Sequence, residues 1–289
     1  MQILFYGNSA GYRTLLFVKN RYERRHYMSR YLVPPLRKFA YLGEFAPSIQ
    51  GLADMARPER WSYAQTPGPR KNIILENYVY HTFNRLRAQQ EASPEGNYIY
   101  ASKKNVCFNT GLFTPNFEPI FALFDKNDVK CAAEWKLKGF YKESAMELSQ
   151  ITPLPERASY FDSISDLMFD TRLEMRINID HILEDERNRQ RIPEQYRDMS
   201  NLPMLFRAAL EYAKIRVKEN YKAAVPQYYH GRIQFLLPIS LGDPQKVDLS
   251  LAVGAREGVY TGHTCLTLDM AYNNARLIAK PESDWLIGS

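Results

Sequence analysis

The sequence predicts an α+β fold, in which antiparallel β-sheets or meanders combine with two long amphipathic helices. Three observations lead there. Short runs rich in aromatic and β-branched residues recur between Gly, Pro and Asn turns; two longer segments place apolar residues three and four apart; and strands do not alternate with helices as a parallel βαβ sheet requires. Composition agrees, because 20 Tyr and 15 Phe in 289 residues suit a β-rich core.

Residues 1–44 read as a basic, poorly ordered N-terminal arm, and residues 45–289 as one α+β domain. In residues 1–40 eight basic side chains (Arg13, Lys19, Arg21, Arg24, Arg25, Arg30, Arg37 and Lys38) face Glu23 alone, which exceeds the formal net charge of +6 for the whole chain. Tyr12, Tyr22, His26, Tyr27 and Tyr31 are interleaved among them. Such an arm suits phosphate contact and base stacking. It reads equally as a plain extension, or as translated leader ahead of a start near Met28.

From Phe45 to Arg70, Pro47, Pro58, Pro67, Gly68 and Pro69 surround Trp61 and Tyr63, which predicts loop and short helix docked on the core. Over Lys71–Gln90 the positions Ile74, Leu75, Tyr78, Val79, Thr82, Phe83 and Leu86 form one helical stripe, ended by Ser93-Pro94-Glu95-Gly96. Strands are expected over Asn97–Ala101, Val106–Asn109, Pro119–Phe124 and Trp135–Tyr141. Residues 151–161, with Pro153 and Pro155, cross to a ten-residue alternation, Thr171–Asp180. There Leu173, Met175, Ile177 and Ile179 oppose Arg172, Glu174, Arg176, Asn178 and Asp180, the period-two pattern of a strand with one polar face. A charged stretch, His181–Asn201, leads to a second helix over about Pro203–Tyr221. Then Ala223–Tyr229, a His230-Gly231 turn and Arg232–Pro238 form a hairpin, and Asp248–Val253 pairs with Val259–Leu268 across Gly254–Gly258. No internal sequence repeat is visible.

No apolar run reaches the roughly 18–20 residues of a membrane span, and the N-terminus lacks the continuous apolar core of a secretory signal, so the protein is expected in the cytoplasm with no membrane partner. Cys107, Cys131 and Cys265 lack CxxC spacing, which argues against a disulfide framework or a zinc site. GxxxxGK[ST], GxGxxG, GxSxG and HExxH motifs are all absent.

Two polar constellations remain. On the alternating strand, Arg172, Arg176 and Asn178 suit nucleic-acid or nucleotide contact, while Glu174, Asp180 and His181 form a catalytic set if the face floors a site. Asp170, Glu174 and Asp180 are the carboxylates that would hold magnesium or manganese for phosphoester chemistry, with His181 moving a proton. The competing reading is a charge ladder, since Glu174 stands roughly 7 Å from Arg172 and Arg176 along one face. The ladder needs no cofactor. The second constellation is Asp269, Asn273, Asn274 and Arg276, read as a strand end followed by an Asn-Asn turn, suited to a base edge or phosphate. Tyr228 and Arg232 at the hairpin tip suit stacking on an unpaired base. RNA or a nucleotide is the partner these groups favour; a metal-dependent phosphoesterase or nuclease and a non-catalytic protein-interaction scaffold are the alternatives.

The runs Cys107–Leu112, Glu118–Phe124, Leu154–Phe161, Asp166–Asp170, Arg172–Leu183 and Leu268–Ile278 together resemble an uncharacterised bacterial family, the domain of unknown function numbered thirty-eight twenty-five, over roughly Leu52 to Leu286. The resemblance implies no established activity. Its members are expected beside RNA-binding modules of the cold-shock or LOTUS type, which points the expectation toward RNA.

Overall fold

The apolar runs of the strands bury alternate residues in different cores, which is why they lack a clean polar face. In the computed structural model, which describes residues 34–65, 68–128 and 133–287, strands β2 (Ile99–Ala101), β3 (Asn105–Phe113), β4 (Pro119–Lys126) and β5 (Trp135–Lys142) form an antiparallel meander. A two-residue strand, β1 (Ala40–Tyr41), lies parallel to β5 and gives the order β1-β5-β4-β3-β2. Ile120, Ala122 and Phe124 of β4 enter the central core, while Phe121 and Leu123 enter a smaller one on the other face. Most of the basic arm, residues 1–33, and Cys131 lie outside the described residues.

The second sheet repeats this plan. Its meander is β7 (Val225–Tyr229), β8 (Arg232–Ile239), β9 (Leu249–Arg256) and β10 (Val259–Leu266), with the short β6 (Glu174–Arg176) parallel to β10 in the order β6-β10-β9-β8-β7. Helices lie between the edge strand and the meander in both halves. In the first half α1 (Pro35–Phe39) precedes β1, and α2 (Phe45–Met55) and α3 (Ile73–Ala92) follow it; in the second come α4 (Ile179–Glu184), α5 (Glu186–Arg191), α6 (Glu194–Arg197) and α7 (Leu202–Glu219). The last strand of each meander also carries an extra residue. Lys138 stands between the pairs Leu123–Gly139 and Phe124–Leu137, and His263 between Val253–Gly262 and Ala252–Thr264. The topology is thus duplicated where the residues show no repeat.

The halves stack head to tail. In the central core Phe108 and Phe124 of the first sheet meet Leu75, Tyr78, Phe83 and Leu86 of α3. Leu236, Ala252 and Leu266 of the second sheet join them, with Leu268, Ala271 and Tyr272 of α8 (Leu268–Ala275). On the far face of the second sheet, Phe235, Leu237, Leu251 and Val253 pack under Phe206, Leu210, Ala213 and Val217 of α7. On the far face of the first, Leu148 and Ile151 cover Cys107, Phe121 and Leu123. A last turn of helix, α9 (Asp284–Ile287), buries Trp285 and Leu286. No described helix is long and apolar enough to cross a membrane.

The hairpin turn at His230-Gly231 has φ of 48° and 82°, as a two-residue connection with the twist of its strands requires. Three expectations are corrected, and the charged stretch gains structure. The strand predicted over Thr171–Asp180 is limited to Glu174–Arg176, because the Asn178 side chain accepts a hydrogen bond from the His181 N–H and starts α4, which buries Ile179 and Ile182. The charged stretch 181–201 holds three short helices, the second capped by Asp185 accepting from Asn188 N–H. Asn273-Asn274 lie inside α8, whose N-cap is Thr267, and not in a turn. Strand β9 continues through Gly254 to Arg256 and turns at Glu257-Gly258. In addition, residues 34–44 belong to the fold, since Leu36, Ala40 and Leu42 are buried.

Phe83 sits between the rings of Phe39 (5.0 Å) and Phe108 (5.4 Å) in the layer that both halves share. Phe83→Ala is expected to destabilise the protein by about 3–5 kcal/mol in denaturant unfolding, the cost of an aromatic-sized cavity; a loss under about 1 kcal/mol overturns its place at the centre of the core.

Candidate functional site

The polar face of β6 is neutralised within itself. The Arg172 side chain is 88% exposed, and its Nε and Nη2 donate to the two Asp170 carboxylate oxygens at 2.9 and 2.8 Å. Arg176 meets Glu174 in the same way at 2.9 and 2.6 Å. Hydrogen bonds from Arg172 hold the Asp170 carboxyl down to about 2. Asp180 lies 3.8 Å from Arg207. The three carboxylates expected to share a cation are therefore each taken by a different arginine, and no cluster of three or more His, Cys, Asp and Glu suited to a metal ion occurs among the described residues. Asn178 is spent as a helix cap.

The second constellation divides. Asp269 is fully buried, and its two oxygens accept from the backbone N–H groups of Ala64 and Gln65 at 2.8 and 2.9 Å. Arg276 is buried in an ion pair with Glu59, its guanidinium 4.6 Å from the Tyr78 ring centre and 5.1 Å from that of Trp61. Both fasten the segment around Trp61 to α8. Tyr228 packs edge-on against Tyr160 at 4.9 Å, and its hydroxyl accepts from Arg85 of α3 at 3.1 Å. Arg232 is exposed at the start of β8.

Asn273 and Asn274 instead belong to a relay of side-chain amides. Asn77 of α3 donates to Asn273 (3.1 Å), Asn273 to Asn274 (3.4 Å), Asn274 to Gln227 of β7 (3.0 Å), and Gln227 to Gln234 of β8 (3.0 Å). Asn273, Asn274 and Gln227 each give an N–H and receive one, so the chain has a single direction that fixes the orientation of its amides. It ends at Gln234, whose oxygen is spent and whose NH2 group has no partner among the described residues.

That end opens into a cavity of about 350 Å3 on the inner face of the second sheet. His181, Asp185, Arg187, Asn188 and Arg191 from α4, α5 and their junction form one wall; Gln227, Tyr229, Gln234, His263 and Thr264 from the sheet form another; Met270 and Asn274 of α8 close it. The bulge in β10 builds it. A regular strand would send His263 and Thr264 to opposite faces, whereas the extra residue lets both line the cavity. Asn188, buried on α5, accepts from Cys265 N–H and the Thr264 hydroxyl and donates to the Ile182 carbonyl. Arg191 Nη1 donates to the Thr264 hydroxyl at 2.9 Å and the Cys265 carbonyl at 2.7 Å. Gly254 clears the floor, for a Cβ there would lie 2.8 Å from His263 Nε2.

Positive and donor groups dominate the lining. Arg187, Arg191, His181 and His263 stand against the single carboxylate of Asp185, which is engaged with the Asn188 N–H. Crowding by the surrounding protein disfavours the charged imidazolium and lowers the pKa of His263. The other described histidines are close by: His230 follows the lining Tyr229 and meets its ring edge-on at 4.2 Å, and burial followed by the charge of His230 lowers the pKa of His81 on α3.

His181 and Asn274 are the two sequence-predicted residues brought together here, with Asn178 and Asn273 just behind them. Gln227, Gln234, His263, Thr264, Asn188 and Arg191 were missed. The available signal was glycine inside two adjacent strands, Gly254 and Gly262, which marks a bulge or a close approach.

Fold and site define an α+β protein of two stacked five-stranded sheets with a donor-rich cavity at the bulge of the second. The chain belongs to the family described as domain of unknown function DUF3825, which matches residues 52–285. No curated protein matches it, and no solved structure does.

Two measurements check this geometry. Asp269→Ala removes the buried carboxylate that accepts from the Ala64 and Gln65 N–H groups and is expected to cost about 1.5–3 kcal/mol in chemical unfolding, the scale of a hydrogen bond to a charged group; Arg172→Ala stays within about 0.5 kcal/mol. In an NMR titration His263 is expected to titrate below the ordinary value of about 6.5. The sign follows for stability: the unfolded chain takes up a proton that the folded site resists, so this group's contribution falls as pH drops through about 6.5. A midpoint above that value overturns the crowding.

Proposed function

We propose that the protein binds a nucleotide unit, as part of single-stranded RNA or free, in the cavity between α4, α5, α8 and the second sheet. The carrying observation is a set of groups without a protein partner among the described residues: the imidazoles of His181 and His263 and the NH2 of Gln234 face a space in which Arg187 and Arg191 outnumber the one carboxylate, Asp185. A ligand rich in acceptors and negative charge suits such a lining, and a nucleotide supplies both, through its phosphate oxygens and its base edge. The volume supports one unit, because about 350 Å3 is near the small end of ligand sites, roughly 300–1,000 Å3. Arg187 and Arg191 suit the phosphate. Gln234 suits a carbonyl or ring nitrogen of the base, and Tyr229 at the rim offers a stacking face for a neighbouring base. The polar face of β6 contributes little, because its guanidiniums already hold carboxylates.

Gln234→Glu is the discriminating substitution. It keeps the oxygen that accepts from Gln227 and turns the free donor into a negative acceptor. In fluorescence anisotropy with short single-stranded RNA and with mononucleotides, it is expected to weaken binding about tenfold or more, the scale of a lost hydrogen bond to a charged or well-placed partner. Arg172→Ala combined with Arg176→Ala is expected to leave binding within about twofold. The opposite pattern moves the binding surface to β6 and overturns the cavity.

A further inference from the structure

His181 and His263 reach the cavity from different elements, α4 and the β10 bulge, so the fold as a whole and not one backbone segment sets their separation. Neither imidazole has a hydrogen-bond partner in the protein among the described residues; the bonds of His181 are made by its backbone. Both side chains are exposed, so their ring nitrogens are open to a ligand beside two arginines and a directed amide. The fold also makes room for one of them, since any side chain at Gly254 would displace the His263 ring.

The lining holds no Ser or Cys, and its one aliphatic hydroxyl, Thr264, is engaged with Asn188. A nucleophile for phosphoryl transfer must then come from the ligand. In RNA the ribose 2′-hydroxyl lies next to the phosphodiester.

Resting on the nucleotide reading, we propose that this cavity cleaves single-stranded RNA by metal-independent transesterification, with His263 as general base and His181 as general acid. Neutral His263 takes the proton of the 2′-hydroxyl. The 2′-oxygen forms a bond to phosphorus as the bond from phosphorus to the 5′-oxygen breaks, and the departing 5′-oxygen takes a proton from His181. The products are a 2′,3′-cyclic phosphate and a 5′-hydroxyl, nothing is oxidised or reduced, and the two rings end with exchanged protonation that solvent resets. Arg191, held in place by Thr264 and the Cys265 carbonyl, and Arg187 face the charge that develops on the phosphoryl oxygens. The lowered proton affinity of His263 keeps it in the unprotonated form that a base requires near neutrality.

The test is incubation of the full chain with end-labelled short single-stranded RNA of mixed sequence in excess EDTA, with binding to the same RNA measured in parallel. Fragments ending in 2′,3′-cyclic phosphate are expected. His263→Ala and His181→Ala, both at solvent-accessible positions, are expected to lose about a hundredfold or more in cleavage rate, the lower range for a removed acid or base, with binding changed only severalfold. RNA with a 2′-deoxy sugar at the cleaved position is expected to bind and remain intact. Wild-type protein that binds the RNA and leaves it whole overturns the cleavage and spares the nucleotide reading; wild-type protein that binds neither RNA nor mononucleotides overturns both. Cleavage that survives in both histidine variants, or that yields no cyclic phosphate, also overturns the assignment.

Discussion

The cavity depends on how the outer edge of β10 is completed. Strand β6 pairs with β10 only from Val259 to Thr261, and past that point the backbone groups facing outward need other partners. Two side chains of α5 supply them: Asn188 takes the Cys265 N–H and Arg191 meets the Cys265 carbonyl. A buried backbone group left without a partner costs about 1–3 kcal/mol, so these two side chains do the work of a missing strand. Because they are side chains and not a second backbone, they do not enforce a regular ladder. The bulge at His263 is tolerated there, and with it the pair His263 and Thr264 on one face.

The same substitution of side chains for strand explains why the wall of the site is helical and charged. Helix α5 must sit against the β10 edge to reach Cys265, and it brings Arg187 and Arg191 with it. The amide relay approaches from the other side, beginning on α3 in the first half of the molecule and ending on β8 in the second. A shift between the halves would break it at Asn77–Asn273. The orientation of the Gln234 amide is thus coupled to the packing of the two sheets, through bonds whose direction leaves no freedom to reverse one amide alone.

Most of the fold was legible because it rests on local patterns. The helices over Ile73–Ala92 and Leu202–Glu219 followed from apolar spacing, and the hairpin at His230-Gly231 from turn chemistry. The failures have a common cause. At Thr171–Asp180 the alternation is present, but one cap, Asn178, switches the chain from strand to helix while the polar residues continue the pattern unchanged. At Leu268–Ala275 a Thr cap and buried Leu268, Ala271 and Tyr272 outweigh the turn preference of two asparagines. The site was less legible than the fold. Gln227, Gln234 and His263 are ordinary residues in strands, and only the bulge and the stacking of two halves, both long-range facts, bring them to one space. Asp269 and Arg276 drew notice by their chemistry and turned out to hold the Trp61 segment in place.

The head-to-tail arrangement of two like units raises a question of closure. A pair related by a two-fold axis uses up its sticky face, whereas units stacked in one direction always leave a donor face at one end and a receptor face at the other, as in an array that invites a third member. Here the ends are finished differently. Helix α7 is the helical face left over at one end, presenting its polar side outward, and at the other Leu148 and Ile151 of the short segment after β5 plug the sheet face that a further helix would otherwise fill. That small plug buries Cys107, Phe121 and Leu123 without a helix, so a few residues of loop do at this end what α7 does at the other.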